Sequence, residues 1–593
     1  MRISDYIASE LSKIAANCYT VTGGGAMHLN DAFSKSSLNI RYLHHEQSCS
    51  MAAEAEARIS NKPAIVNVTS GPGGINAING VFGAYTDSIP MIIVSGQVKR
   101  ETLVKTFNGK WRQLGDQEVD IVSMVKGVTK YSVCLDNPIL IKHELEKAIY
   151  ISLNGRPGPV WLDVPIDIQA MQMDFKIQSQ PTKDYLVQFD INKLQFQIKS
   201  LCEKLKNSKR PVFYLGAGVH ISDTKDTIID IAEKYNIPII TSFNSNDLIP
   251  DESDVYVGRA GSIGNRSGNF VVQSSDLLIV LGSRLNIRQV SYNWKSFAPN
   301  AFKVGVDIDE LELDKPTCKL DLKIHSPLQD FMRLFNIELE RFSTLNFSKW
   351  LKWGKERLLK YPVCLEEYWD IKQKVNPYCF VDELFKNLNE NEIVVCADGT
   401  ACVTTFQGMK VKKGQRVFHN SGCASMGYDL PASIGSFYSS SKGRIICLAG
   451  DGSIMLNLQE LETIRGQNLP IQIFILNNEG YHSIRQTQKA FFSDNISGCG
   501  LDSGLTFPNF SKIANAFDFD YFSISNHTEL KSKLPDILNT NQKFICEIFL
   551  DLNQHFSPKL TSKKLKDGSM VTSSMEDMWP FLEKNELKQN LIK

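Results

Sequence analysis

The chain has 593 residues, 42% hydrophobic and 22% charged, the make-up of a packed globular protein and too apolar for a disordered one. Its 65 Lys and Arg balance 65 Asp and Glu at a pI near 7.1, so neither nucleic acid nor an anionic membrane is expected as a partner. No apolar run reaches the roughly 18 residues of a transmembrane helix, the first residues lack the pattern of a secretory signal, and the 13 cysteines occur singly with no CxxC pair. A cytoplasmic protein is expected.

At about 150 residues per domain the length suggests three or four domains. In the first 175 residues, Asn39–His44 reads as a strand, Ser48–Ile59 as a helix, Ala64–Thr69 as a strand, Ser70-Gly-Pro-Gly-Gly74 as a turn into a helix, and Met91–Ser95 as a strand. Residues 176–192 lose the apolar pattern and read as a linker. A second unit over 193–340 holds the strands Pro211–Leu215, running into Gly216-Ala-Gly218, then Asp276–Arg284 and Phe302–Asp309. Residues 340–375, with Trp350 and Trp353, read as a helical connection. A third unit over 377–555 holds Ile393–Ala397, Arg444–Ala449 and Ile471–Leu476, and residues 556–593 form a polar, Lys-rich tail. Strands alternating with helices predict an α/β chain of three doubly wound parallel sheets.

The strongest chemical signal is Gly450-Asp-Gly-Ser453 followed by Asn477-Asn478, each directly after a strongly apolar strand. Both therefore project from the carboxyl edge of one parallel sheet, where ligands of open α/β sheets bind. Asp451 offers an anionic oxygen and Asn478 an amide oxygen. With the Gly480 carbonyl, two diphosphate oxygens and a water they would complete an octahedral Mg²⁺ site. Gly452 and Ser453 are expected to open a helix whose N–H groups receive the diphosphate.

These residues resemble the binding motif of thiamine diphosphate enzymes, and the resemblance extends over about residues 1–550, nearest to the acetolactate synthase-like group. It implies that Glu46, in His44-His-Glu-Gln47, stands against N1′ of the aminopyrimidine. There a carboxylate favours the imino tautomer and makes the 4′-nitrogen a local base. Partial burial of Glu46 among apolar neighbours is expected. Pro72 and Asn76 match the pyrimidine-binding segment, together with Asp87-Ser-Ile-Pro90. Met426, in Ser425-Met-Gly-Tyr-Asp-Leu-Pro431, matches the apolar residue that bends the cofactor and brings the 4′-nitrogen to C2. Because Glu46 and Asp451 lie in different units, the resemblance also implies a homodimer or homotetramer with sites between subunits.

The central unit resembles a flavin-binding domain. Gly216, Gly218, Arg284 and Asp307 end its strands, and Arg156 matches an arginine near the flavin. FAD is expected in a structural role, although related decarboxylases keep this domain without it.

The chain departs from biosynthetic acetolactate synthases at two places. Asp116 stands where a Phe-Gln-Glu segment has phenylalanine, and Thr487 where a tryptophan shapes the acceptor pocket. Both changes predict a larger, more polar pocket. The Gly480–Gln488 run and the tail resemble a subgroup associated with surface-polysaccharide sugars. This implies a carboligase that decarboxylates a 2-oxo acid, pyruvate being the first choice, and transfers the acyl-anion equivalent to a carbonyl acceptor such as a nucleotide-linked keto-sugar. The alternatives are an acetolactate synthase, a pyruvate oxidase-type flavoenzyme and a non-catalytic binding protein. His482 and Gln117 are placed over the reactive carbon for proton transfer and oxyanion contact; otherwise His482 only touches the diphosphate and Gln117 only packs.

Overall fold

The computed structural model describes residues 1–175, 187–440, 443–492, 495–564 and 566–592. Most of the linker expected over 176–192 lies outside the described residues, and the helix Ile191–Asn207 begins at its end.

Three six-stranded sheets carry the chain, and every pairing within them is parallel. Their central strands, such as Ala64–Val68, Leu277–Leu281 and Ile445–Gly450, are almost wholly buried. Continuous Ile, Val and Leu runs suit strands covered by helices on both faces.

When strands are counted in chain order within each sheet, the first and third share the spatial order 2-1-3-4-6-5. The central sheet instead runs 6-5-4-1-2-3. An order that reverses beside strand 1 leaves a crevice at the strand ends. In the third sheet that crevice lies between Ile393–Cys396 and Ile445–Gly450, and in the central sheet between Pro211–Leu215 and Leu277–Leu281.

The connection after the central sheet contains the helix Ser348–Lys360, on which Trp350 and Trp353 stack at 4.8 Å. The tail runs back over the central unit. Met575 and Met578 are fully buried, Asn269 Nδ2 donates to the Met575 carbonyl at 2.9 Å, and Gln273 Nε2 donates to Glu576 at 2.7 Å. Two buried methionines thus anchor a segment whose composition is polar. Among the described residues no helix is long and apolar enough to cross a membrane.

Candidate active site

Glu46 lies in the first turn of the helix Glu46–Ser60. His45 caps this helix, its Nδ1 accepting from the Gln47 N–H at 3.1 Å. Glu46 is half-buried, and its Oε2 accepts from Asn76 Nδ2 at 3.0 Å. Asn76 stands on the helix Pro72–Asp87, which is entered through Gly71 at φ +63° with Pro72 at its first position. A Cβ on Gly71 would lie 2.6 Å from the Gln117 carbonyl, so Gln117 abuts the turn before Pro72. Glu118 folds this loop, accepting from the N–H groups of Val104, Leu114 and Gly115 at 2.6, 3.0 and 3.0 Å. Glu46, Pro72, Asn76 and Gln117 therefore form one cluster.

A second cluster occupies the crevice of the third sheet. Asp451 is 2% exposed; its Oδ1 accepts from the Gly452 N–H at 2.8 Å and its Oδ2 from the Gly480 N–H at 2.9 Å. Burial pushes this carboxyl up to about 7. Asn478 is 5% exposed, its Nδ2 donates to Thr400 Oγ1 at 2.8 Å, and its Oδ1 is buried with no partner. A buried carboxyl beside an orphaned amide oxygen is a donor set suited to a hard divalent ion. Asp451, Asn478 and the Gly480 carbonyl fit Mg²⁺ on this ground.

The helix expected to open at Gly452 is instead a turn followed by one 3₁₀ turn, Ile454–Leu456. Asn457 ends it, with Nδ2 donating to the Gly427 carbonyl at 2.7 Å and Oδ1 accepting from Ser48 Oγ at 3.0 Å. These long-range bonds draw the chain out of the helical path. The Gly452 N–H is occupied by Asp451. The Ser453 hydroxyl is also engaged, donating to Asp429 Oδ2 at 2.6 Å and accepting from the Gly427 N–H at 2.8 Å. Ser453 thereby braces the turn that presents Met426, which is half-buried between Ala424 and Gly427 at φ +60° and +78°. Ser425 Oγ ties this turn to Asn79, one helical turn beyond Asn76, at 2.5 Å.

His482 begins the helix His482–Phe492 and is 5% exposed. Its Nε2 lies 2.9 Å from the Gln554 carbonyl, while Nδ1 is buried without a partner. Burial lowers its pKa to about 4, so the ring is neutral at pH 7, and Nε2 sits between the Gln554 carbonyl and Gln486 Nε2, the latter 2.5 Å away. The tail-side chain segment thus holds one ring nitrogen, and only Nδ1 is open to a ligand. Thr487 is exposed, its hydroxyl donating back to the Ser483 carbonyl at 3.0 Å.

The central crevice opens into a cavity of about 350 Å³ whose walls include Arg156, Gly218, Arg284 and Asp307. Gly216 is not in the wall. A Cβ there would lie 2.2 Å from the Gly282 carbonyl, and one on Gly218 2.8 Å from Gly282 Cα, so these glycines permit two strand-end loops to cross. Arg156 is engaged with protein groups at the cavity edge, donating to Ser88 Oγ, Asp309 and Glu312 at 2.8, 2.9 and 2.7 Å. Burial pushes the Asp307 carboxyl up to about 6. A reversal crevice of this strand order suits a dinucleotide, and the cavity lies at that crevice.

Asp87 links this cavity to the first cluster. Its Oδ2 accepts from Arg58 at 2.7 Å and its Oδ1 from Asn244 at 2.9 Å, with Arg284 3.6 Å away. Arg58 also pairs with Glu54, which accepts from the Tyr428 hydroxyl. This buried network joins all three units. Sequence patterns missed Asp429, Thr400 and Arg58, because each acts through a partner remote in the chain.

Fold and sites together define a three-unit thiamine diphosphate enzyme. Residues 1–124 match the N-terminal TPP binding domain of thiamine pyrophosphate enzymes, 198–334 the central domain, and 398–548 the C-terminal TPP binding domain. The acetolactate synthase large subunit of Cyanidium caldarium is 30% identical over 565 residues, covering 92% of this chain and 93% of the relative. The acetolactate synthase isozyme 1 large subunit of Escherichia coli (strain K12) is 27% identical over 547 residues, covering 91% and 92%. The chain belongs to the thiamine pyrophosphate enzyme family, on its acetolactate synthase-like side.

Proposed function

We propose that this enzyme is a Mg²⁺-dependent carboligase that decarboxylates pyruvate and adds the two-carbon unit to a second 2-oxo acid, giving acetolactate. The observation that carries it is the Glu46–Asn76 hydrogen bond in one cluster and, in the other, the buried Asp451 carboxyl and the orphaned Asn478 oxygen of the same crevice. The names of the relatives support the acetolactate product over the keto-sugar reading.

Thiamine diphosphate, when bound, supplies the carbon acid that stabilises the acyl carbanion. Glu46, with Oε2 held by Asn76, would exchange a proton with N1′. Asp451, Asn478 and the Gly480 carbonyl would hold Mg²⁺ against the diphosphate. Met426 would lie against the cofactor, and His482 Nδ1 and Gln117 would face the reacting carbonyl. The pyruvate C1–C2 bond breaks to release CO₂, and the retained electron pair forms the new carbon–carbon bond. The resulting alkoxide takes a proton. No net oxidation occurs, so FAD in the central cavity would be structural.

A homodimer fits the same reading. The helix Pro72–Asp87 exposes Ile75, Phe82 and Tyr85 at 43, 38 and 40%, a spacing that places them along one side beside the first cluster.

A second reading, a bulkier polar acceptor such as a keto-sugar, is favoured by exposed Thr487 and Asp116. Incubation with pyruvate, thiamine diphosphate and Mg²⁺, following CO₂, acetolactate and oxygen or dye reduction, separates these. Rapid acetolactate formation supports the main reading, slow formation with CO₂ release the second, and dye reduction an oxidase.

A further inference from the structure

The loop that leaves the strand Ile471–Asn477 has an unusual backbone. Glu479 at φ +55° and Gly480 at φ +129° follow one another, between Asn478 and the helix His482–Phe492. A left-handed glutamate persists only where its surroundings hold it. Gly480 has little latitude either, since a Cβ on it would lie 1.9 Å from the Cys499 carbonyl.

Arg485, one turn into the following helix, supplies the hold. Its Nη1 donates to the Asn478 carbonyl at 3.0 Å, and its Nη2 donates to the Glu479 carbonyl at 2.5 Å and the Cys499 carbonyl at 3.3 Å. The Tyr481 N–H donates to the same Cys499 carbonyl at 2.8 Å. Two successive peptide planes of the loop are thereby fixed from one side by a planar fork, and from the other by the Gly480 N–H on Asp451. The fork needs room: a Cβ on Gly500 would lie 2.8 Å from Arg485 Nη2 and 2.6 Å from the Glu479 carbonyl.

We propose that Arg485 is the positioning residue of the metal site. By holding the carbonyls of Asn478 and Glu479, it aims Asn478 Oδ1 and the Gly480 carbonyl at one divalent ion. The inference rests on the Mg²⁺ reading above. A lysine keeps the charge but not the paired donors, so Arg485→Lys does not replace it.

The test is calorimetric titration of Mg²⁺ into the full chain with thiamine diphosphate present, beside the melting temperature without metal. Arg485→Met and Arg485→Lys are expected to weaken Mg²⁺ binding at least tenfold. Gly500→Ala keeps the arginine and, at an extended backbone position (φ 177°), crowds the fork together with the Glu479 carbonyl it holds; it is expected to weaken binding at least threefold. Mg²⁺ binding by the wild type with affinities within twofold in Arg485→Lys and Gly500→Ala would overturn the inference alone. No Mg²⁺ binding by the wild type would overturn the metal reading and the inference with it.

Discussion

Asn76 Nδ2 donates to Glu46 Oε2 across 3.0 Å, so one oxygen of the carboxylate is held by the pyrimidine-side helix and the other remains for a ligand. A glutamine can keep the Asn76 bond through its carbonyl but cannot exchange a proton. Glu46→Gln is therefore expected to bind thiamine diphosphate while CO₂ release from pyruvate falls about 100- to 10,000-fold. Single-turnover CO₂ measurement checks this, and near-normal release would remove Glu46 from the mechanism.

Thr487 is exposed where a tryptophan would narrow the acceptor side. If the enzyme uses a bulky acceptor, Thr487→Trp should cut transfer to it about tenfold or more and leave CO₂ release within about twofold. Product analysis with paired acceptors reads the difference.

Arg58 is 7% exposed and bridges Glu54 and Asp87, whose side chains are 1% and 0% exposed. Arg58→Met would leave the buried Glu54 carboxylate without its cation and Asp87 with only Arg284, 3.6 Å away, at a cost of about 3–5 kcal/mol. Loss of soluble protein or a melting temperature lowered by several degrees is expected. An unchanged melting curve would show that the network carries no stability.

Gly216 lies against the Gly282 carbonyl, where an added Cβ would stand 2.2 Å away. Gly216→Ala must push the two strand-end loops apart at a cost of about 1–3 kcal/mol. If the central cavity holds FAD, as proposed, flavin fluorescence should show its binding weakened at least tenfold, with thiamine diphosphate binding changed less.

Asp163 is 2% exposed and accepts from Ser95 Oγ at 2.6 Å and Gln97 Nε2 at 3.0 Å, and burial pushes its carboxyl up to about 7. The folded state therefore holds this proton more tightly than the unfolded chain, whose aspartate titrates near 4. Its stabilising contribution is full below about pH 4 and is lost as pH rises to about 7. Asp163→Asn should flatten that part of the pH dependence, giving a smaller fall in melting temperature between pH 4 and pH 7 than the wild type.

Much of this enzyme was legible locally. The apolar runs before Gly450-Asp-Gly-Ser453 and before Asn477-Asn478 placed both motifs at strand ends, because strand patterning and turn chemistry are short-range. The helix expected at Gly452 failed for the opposite reason. Asn457 bonds to Ser48, 409 residues away, and no local propensity registers such a partner. The polar composition of the tail likewise hid its docking, which depends on where Met575 and Met578 meet the central unit.

The sequence by itself determined three α/β units, the positions of Glu46, Asp451 and Asn478 at element ends, and a thiamine diphosphate-type site. Only the tertiary structure decided the strand orders that open the two crevices, the use of the Ser453 hydroxyl on Asp429, the contact of the Gln554 carbonyl with His482 Nε2 and the grip of Arg485 on the Asn478–Glu479 loop. The division follows from range. Periodicity and turn preference act over a few residues, whereas a buried hydroxyl, imidazole or guanidinium must find whichever partner the folded chain brings within about 3 Å.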